Sequence, residues 1–226
     1  EIAGCAAVLQ RKRVAISGEV PLLDTCGTGG DGLGTFNISS LSAIVAAAAG
    51  AAVAKHGNKA VSSRSGSADF YSALGIDIKV SPDEAERVLR DTGFAFLFAP
   101  LYHGAMRHAA VPRRELGVKT IMNLLGPLAN PAGAAYQIIG VYDEALAETV
   151  ARAAHLLGVK RVMVVHGQDG LDELSVAAPS TVITVDEEGN LERSTVHPED
   201  FGMTGYATAD LEGGDGEANA AVAREI

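Results

Sequence analysis

No segment limits the possible folds of this chain as sharply as GTGGDGLGTFN at residues 27–37. Glycines at 27, 29, 30, 32 and 34 allow φ > 0 and let backbone approach a ligand closely. The run follows a short apolar strand after Pro21. It precedes an Ala-rich helical stretch at 38–50, with Asn37 or Ser39 in the N-cap position. Strand, glycine loop and helix N-terminus in that order make several N–H groups converge on an anion, helped by the helix dipole. The run has no GK[ST], so it is not a Walker A loop. It also lacks the G-x-G-x-x-G spacing, and the acidic residue about 20 positions on, of a dinucleotide fingerprint. Asp31 inside an anion loop makes sense where a metal, or water held by one, accompanies the phosphate.

The rest of the chain alternates strands and helices, which predicts an α/β fold with a central, largely parallel sheet flanked by helices. Residues 2–13 read as a helix and 51–57 as a buried strand. A helix starting at Ser65 or Ser67 stops at Gly75, and Ile76–Val80 reads as a strand. Ser81 with Pro82 and Glu84 is a strong helix start. Phe94–Ala99 reads as a strand, followed by helices near 103–110 and 112–116, and GPLANP at 126–131 as a stiff loop. Tyr136–Tyr142, Arg161–His166, Val182–Val185 and Leu191–Val196 read as strands, with a helix over Glu144–Leu157.

A second polar loop, KHGNKAVSSRSGS at 55–67, places Lys55 and His56 at the carboxyl end of a strand, where open α/β sheets bind ligands. Two anion loops suit a ligand with two separated phosphate groups. The net charge of −10, from 18 basic and 28 acidic residues, speaks against a nucleic-acid face, which needs clustered Lys and Arg. Backbone N–H groups and a metal ion must then do much of the local work on phosphate. The longest apolar stretch, 44–54, is far short of a membrane span. Cys5 and Cys26 fit neither a metal spacing nor a disulfide framework, so reduced thiols and a cytoplasmic location are expected.

Four motifs in order carry a resemblance to the anthranilate phosphoribosyltransferases. They are GTGGDGLGTFNISS at 27–40, KHGNKAVSSRSGSAD at 55–69, RRELGVKTIMNLLGPLANPAG at 113–133 and GLDELS at 170–175. The resemblance implies transfer of the 5-phosphoribosyl group from 5-phosphoribosyl 1-diphosphate (PRPP) to the amino group of anthranilate, releasing diphosphate, in tryptophan biosynthesis. It also implies a homodimer of chains that each combine a small helical domain with a larger α/β domain. Residues 1–20 would be a remnant of the helical domain, with a contribution from around 101–117, and 21–226 the α/β domain. Both chain ends read as helices without caps, so a longer protein is expected, with helices before Glu1 and a further segment after Ile226.

By the same resemblance, PRPP is held by Gly27, Gly30, Asp31, Thr35, Asn37, Ile38, Ser39 and Ser40. Lys55, His56, Gly57, Asn58, Lys59, Ala60, Val61, Ser62, Ser63 and Ser67 hold its remaining groups. Anthranilate is contacted by Gly27 and Asn58, with its carboxylate on Arg113, whose guanidinium fork suits that anion. Mg²⁺, two ions per site, is implied at Ser39, Asp172 and Glu173. Adjacent carboxylates are hard oxygen ligands of the kind Mg²⁺ takes, although by composition alone Asp172-Glu173 is a solvated turn. His56 and His103 are read as substrate-channel residues, and GPLANP as structural. No general base is evident; a neutral aniline nitrogen already carries its lone pair, so positioning matters more than proton abstraction.

The nearest rival is a pyrimidine nucleoside phosphorylase, which also acts at a ribose C1 but resembles this chain only in parts of the two polar loops. A relative acting on another aromatic or nucleic-acid ligand would show a basic surface and an altered RRELG, against which the net charge of −10 and Arg113 speak. A non-catalytic binding fragment is disfavoured by the intact site residues.

Overall fold

A computed structural model describes residues 1–60 and 63–226 and, within the helix over 107–116, leaves out the side chains at 110, 111, 113 and 114. In chain order the elements are α1 (Ile2–Lys12), β1 (Leu23–Gly27), α2 (Ile38–Ala48), β2 (Val53–Gly57), α3 (Ser67–Ala73), α4 (Pro82–Thr92) and β3 (Phe94–Phe98). Then come α5 (Ala99–Tyr102), α6 (Arg107–Leu116), α7 (Met122–Leu125), β4 (Tyr136–Gly140), α8 (Ala147–Leu156), β5 (Arg161–Gly167), β6 (Ser180–Val185), β7 (Leu191–Val196) and α9 (Gly216–Glu225). The strands form one seven-stranded sheet in the order β3-β2-β1-β4-β5-β6-β7. The first five in that order pair in parallel, while β6 and β7 add antiparallel, so the expectation of a largely parallel α/β sheet is met.

The strand order positions the site. From β1 the chain builds outward to β2 and β3, then returns to lay β4 against the other side of β1. At that reversal the loops leaving β1 and β4 turn to opposite sides and open a crevice at the carboxyl ends of the strands. Gly27 and Gly140 face each other there in register. One core cluster joins α1, α7 and α8 to the sheet through Ala6, Leu125, Val150, Ile139 and Val164. On the β2–β3 side, Phe70 and Tyr71 of α3 pack on Phe96, with Ala223 of α9 against them.

Local chemistry explains most boundaries. Ser81 accepts the Glu84 N–H at 3.3 Å and Pro82 opens α4, which ends at Gly93 with φ 76°. The strand expected over Ile76–Val80 is absent. The Asp77 carboxylate accepts the Lys79 N–H at 2.8 Å and closes a turn, which buries Ile78 against the α3 cluster. The two short helices expected between 103 and 116 are instead a 3-10 turn at Gly104–Met106 and one helix, α6, that runs through Pro112. The expected helix start at Glu144 is a 3-10 turn that leads into α8.

Candidate active site

Three loops meet at the crevice. The first leaves β1 with Gly29, Gly30, Gly32 and Gly34 at φ 63°, 82°, 79° and 68°, the left-handed region that explains why glycine recurs there. The second, after β2, carries residues 58–66. The third, Gly170–Leu174, follows β5 and folds back over the strand ends. A Cβ on Gly140 would lie 1.5 Å from the Asp172 carbonyl oxygen, and one on Gly27 would lie 2.7 Å from Asp172 Oδ2. The registered glycine pair is therefore a seat without side chains on which Asp172 rests.

From that seat both carboxylates reach the first loop. The Gly29 N–H donates to Asp172 Oδ2 at 2.8 Å and the Ser39 N–H donates to Glu173 Oε1 at 3.2 Å. Burial pushes the Asp172 carboxyl up to about 7, with the nearby Asp31 charge adding. Burial and the Asp172 charge push Glu173 up to about 8. Both residues keep partial exposure, so the desolvation falls on the carboxyl ends that face the loop backbone. Asp31 Oδ1 accepts the Leu33 N–H at 3.3 Å, while Oδ2 is buried without a partner. Among the described residues, Asp31, Asp172 and Glu173 make no ion pair within 4.0 Å. The adjacent Asp172 and Glu173 carboxylates, without a paired cation, offer hard oxygen ligands of the kind a divalent ion takes.

Lys55 sits in the middle of β2, almost fully buried at 2 % exposure, and its charge partly offsets the burial that raises the Asp24 and Glu173 carboxyls. Asp24 is wholly buried; burial raises its carboxyl above the usual range, against the opposing pull of Lys55 and of the Asn130 and His56 hydrogen bonds. Asn130 Nδ2 donates to Asp24 Oδ2 at 2.7 Å and to the Ala54 carbonyl at 2.8 Å, and the His56 N–H donates to Asp24 Oδ1. GPLANP is thereby pinned to β1 and β2, in line with its structural reading. The His56 and His103 rings lie 5.1 Å apart, both buried. Burial, then His103 and Lys55, lower His56 to about 3, so it stays neutral near pH 7 and is a poor proton acceptor.

The remaining expected site residues divide clearly. Ser40 and Ser67 hydroxyls join the two polar loops at 3.0 Å, and the Tyr71 hydroxyl donates to the Ser40 carbonyl. A Cβ on Gly57 would strike Phe96 and Ser67 at 2.9 Å. Asn58 accepts the Lys59 N–H, and the Ala60 N–H donates to Asp69. Ser63 closes a local turn onto the Ser65 carbonyl. Ile38 begins α2, and Thr35 forms a lone bridge with Glu212. Asn37 occupies the N-cap position of α2 without capping it: its amide bonds Ser65 and Asn219 instead. Val61 and Ser62 lie outside the described residues, as does the Arg113 side chain; the Arg113 backbone belongs to α6.

A family profile described as "Glycosyl transferase family, a/b domain" matches residues 19–226. The anthranilate phosphoribosyltransferase of Moorella thermoacetica is 52% identical over 227 residues, covering 100% of this chain and 67% of that protein. The chain belongs to the anthranilate phosphoribosyltransferases. It spans about two thirds of the length of the curated relatives it matches. The crystal structure of the anthranilate phosphoribosyltransferase from Thermus thermophilus superposes with TM-score 0.91 at 44% identity, over 100% of this chain and 67% of that one. The Saccharomyces cerevisiae enzyme in complex with PRPP and Mg superposes with TM-score 0.91 at 35% identity, over 99% of this chain and 62% of that one.

Within this phosphoribosyltransferase fold, sequence reasoning passed over several residues that shape the site. Asp24 and Gly140 look like ordinary strand residues until the loops are seen to press on them. Lys119 is another: its ammonium donates to the Gly30 carbonyl at 2.6 Å and lies 3.6 Å from the Tyr142 ring centroid. It clamps the glycine loop from the segment that follows α6. Its presence in RRELGVKT was a signal, but not its target. Lys119→Met should raise the KM for PRPP by about 3- to 10-fold, the loss of one charge-assisted hydrogen bond and an exposed cation–π contact. Lys119→Arg should retain most of the wild-type value, and steady-state kinetics at saturating anthranilate separates the two.

Proposed function

We propose that this chain transfers the 5-phosphoribosyl group of PRPP to the amino group of anthranilate, giving N-(5-phosphoribosyl)anthranilate and diphosphate. The observation that carries this reading is the meeting of Asp172 and Glu173 with the glycine loop at the strand ends, beside the buried Lys55. That arrangement sets anion-binding backbone next to ligands for a cation. As the C1–O bond of PRPP breaks, charge builds on the departing diphosphate, and preorganised N–H groups and Lys55 stabilise it. Residues Gly27, Gly30, Asp31, Thr35 and Asn37–Ser40 serve the diphosphate end, and residues 55–63 with Ser67 serve the rest of PRPP.

Asp172 and Glu173 would hold Mg²⁺, with a second ion near Ser39, whose N–H already meets Glu173. When bound, the metal supplies neutralisation of the leaving diphosphate. Among the described residues no three His, Cys, Asp or Glu side chains close a metal cage. The ion would therefore draw its other ligands from water and the substrate phosphates, as Mg²⁺ does at phosphoryl sites. Residues 1–20 read as a remnant of a helical domain, joined by a contribution from around 101–117 of the otherwise α/β 21–226 domain. The Val14 N–H donating to the Tyr102 carbonyl at 2.9 Å supports this reading.

The primary test is turnover: the intact gene product with PRPP, Mg²⁺ and anthranilate should consume anthranilate fluorescence. Phosphorolysis of a pyrimidine nucleoside without anthranilate turnover would favour the rival. The acceptor side is tested at Arg113. Arg113→Ala should raise the KM for anthranilate about 10- to 150-fold, the loss of a charge-assisted carboxylate pair, and leave that for PRPP nearly unchanged. Equal effects on both substrates would sink the assignment.

A further inference from the structure

The segment 208–219 has no part in the reaction described above, yet it touches two of the three loops of the site and the residue that leads into the third. The Phe36 N–H donates to the Leu211 carbonyl at 3.0 Å and the Gly213 N–H to the Gly34 carbonyl at 2.8 Å, which straps the segment to the glycine loop. Arg64 Nη1 donates to the Gly213 carbonyl at 3.2 Å from the second loop. Thr208 Oγ1 donates at 2.6 Å to Asp169, one residue before the loop that carries Asp172. The fit leaves no slack: a Cβ on Gly213 would lie 2.4 Å from the Phe36 nitrogen, and one on Gly216 would lie 2.8 Å from the Asp69 carbonyl.

At the centre lies Asn219, 1% exposed. Its Oδ1 accepts the Gly214 N–H at 2.7 Å and its Nδ2 donates to Asn37 Oδ1 at 2.8 Å. Asn37 Oδ1 also accepts from Ser65 Oγ at 2.9 Å, while Asn37 Nδ2 donates to the Ser65 carbonyl at 3.3 Å. Flipping either amide would set donor against donor or acceptor against acceptor, so the network determines both orientations. Asn37 thus joins the end of the glycine loop to the second loop, and Asn219, 182 residues away, holds Asn37 in place.

We propose that Asn219 is a positioning residue for the phosphate-donor site: through Asn37 it holds the two anion loops at the spacing PRPP requires. This rests on the proposed reaction for its kinetic consequences and on the hydrogen-bond network alone for its structural ones. Held this way, the Asn37 side chain does not cap α2, and the Ser39 N–H in the first turn of that helix meets Glu173 Oε1 instead.

The test uses the intact gene product. Asn219→Ala removes the tie. Asn219→Asp keeps the acceptor for Gly214 but offers Asn37 no donor. Both should raise the KM for PRPP by about 10-fold or more, the loss of one buried hydrogen-bonded pair, and leave the KM for anthranilate within about 2-fold. Ser65→Ala removes another bond of the same network, from the Ser65 hydroxyl to Asn37 Oδ1, on its partly exposed side, and keeps the measurement available if the Asn219 variants do not fold. It should give the same signature, and the Asn219→Ala/Ser65→Ala double variant should show less than the product of the single effects. Amide exchange without substrate should quicken over residues 58–66 in each variant, a readout independent of the reaction assigned. Lowered thermal stability with unchanged PRPP KM and unchanged loop exchange would overturn the proposal, as would single effects that multiply independently.

Discussion

Gly140→Ala is expected to lower kcat/KM for PRPP by at least about 100-fold, the order of loss that follows from misplacing reacting groups by about 1 Å. The added Cβ would sit 1.5 Å from the Asp172 carbonyl oxygen, where no real contact falls below 3.0 Å. The obstacle is backbone, so no side-chain rotation relieves it, and the Gly170–Leu174 loop must lift from the strand ends. That moves Asp172 away from the Gly29 N–H and Glu173 away from the Ser39 N–H. The variant should need more Mg²⁺ for half-maximal rate and keep its KM for anthranilate. Gly27→Ala, which meets only the Asp172 carboxylate end at 2.7 Å, should show a milder form of the same defect. A Gly140→Ala enzyme with wild-type Mg²⁺ dependence would show that the loop does not need its glycine seat.

The second large effect is expected from Asp172→Asn combined with Glu173→Gln. Turnover should fall by at least about 100-fold and the Mg²⁺ requirement rise, since a metal-stabilised leaving group is worth several kcal/mol. Anthranilate binding should be little altered. The pH dependence has a definite sign. Both carboxyls are raised, to about 7 and about 8, by burial and by neighbouring negative charge. Protons therefore compete with metal below that range, and the wild-type Mg²⁺ concentration for half-maximal rate should fall as pH rises from about 6 to 8.

Without metal, the protonated pair contributes stability at acidic pH that is lost as pH climbs through about 7 to 8. The amide variant should flatten that part of the stability profile. His56 acts in the opposite sense: lowered from 6.5 to about 3, it costs the fold stability as pH drops below 6.5. Isothermal titration with Mg²⁺ in the presence of diphosphate, and thermal unfolding across this window, check both statements. A pH-independent Mg²⁺ requirement would return Asp172 and Glu173 to a solvated turn.

Much of this architecture could be read before any coordinates because its signals are local. Gly29, Gly30, Gly32 and Gly34 carry positive φ values that few other residues tolerate, and Ser81-Pro82 announces α4 through its own cap. Strand and helix periodicities similarly depend on near neighbours, which is why β1, β2, β4 and β5 fall near their expected positions. The Ile76–Val80 segment misleads for the same reason: its alternating apolar residues also suit a turn that buries Ile78, and only packing against the α3 cluster selects between the two.

By itself, then, the sequence determined the alternating α/β order, the two Gly- and Ser-rich loops at the strand ends and, through four motifs, the family. Tertiary structure alone decided which distant groups those loops press against: Gly140 beneath Asp172, Asn130 on Asp24, Lys119 on Gly30, and Asn219 on Asn37. A backbone conformation is set within a few residues and leaves a pattern in the chain. A close approach between residues distant in sequence leaves none, because it exists only once the parallel strands have brought their carboxyl ends together at the β1–β4 reversal.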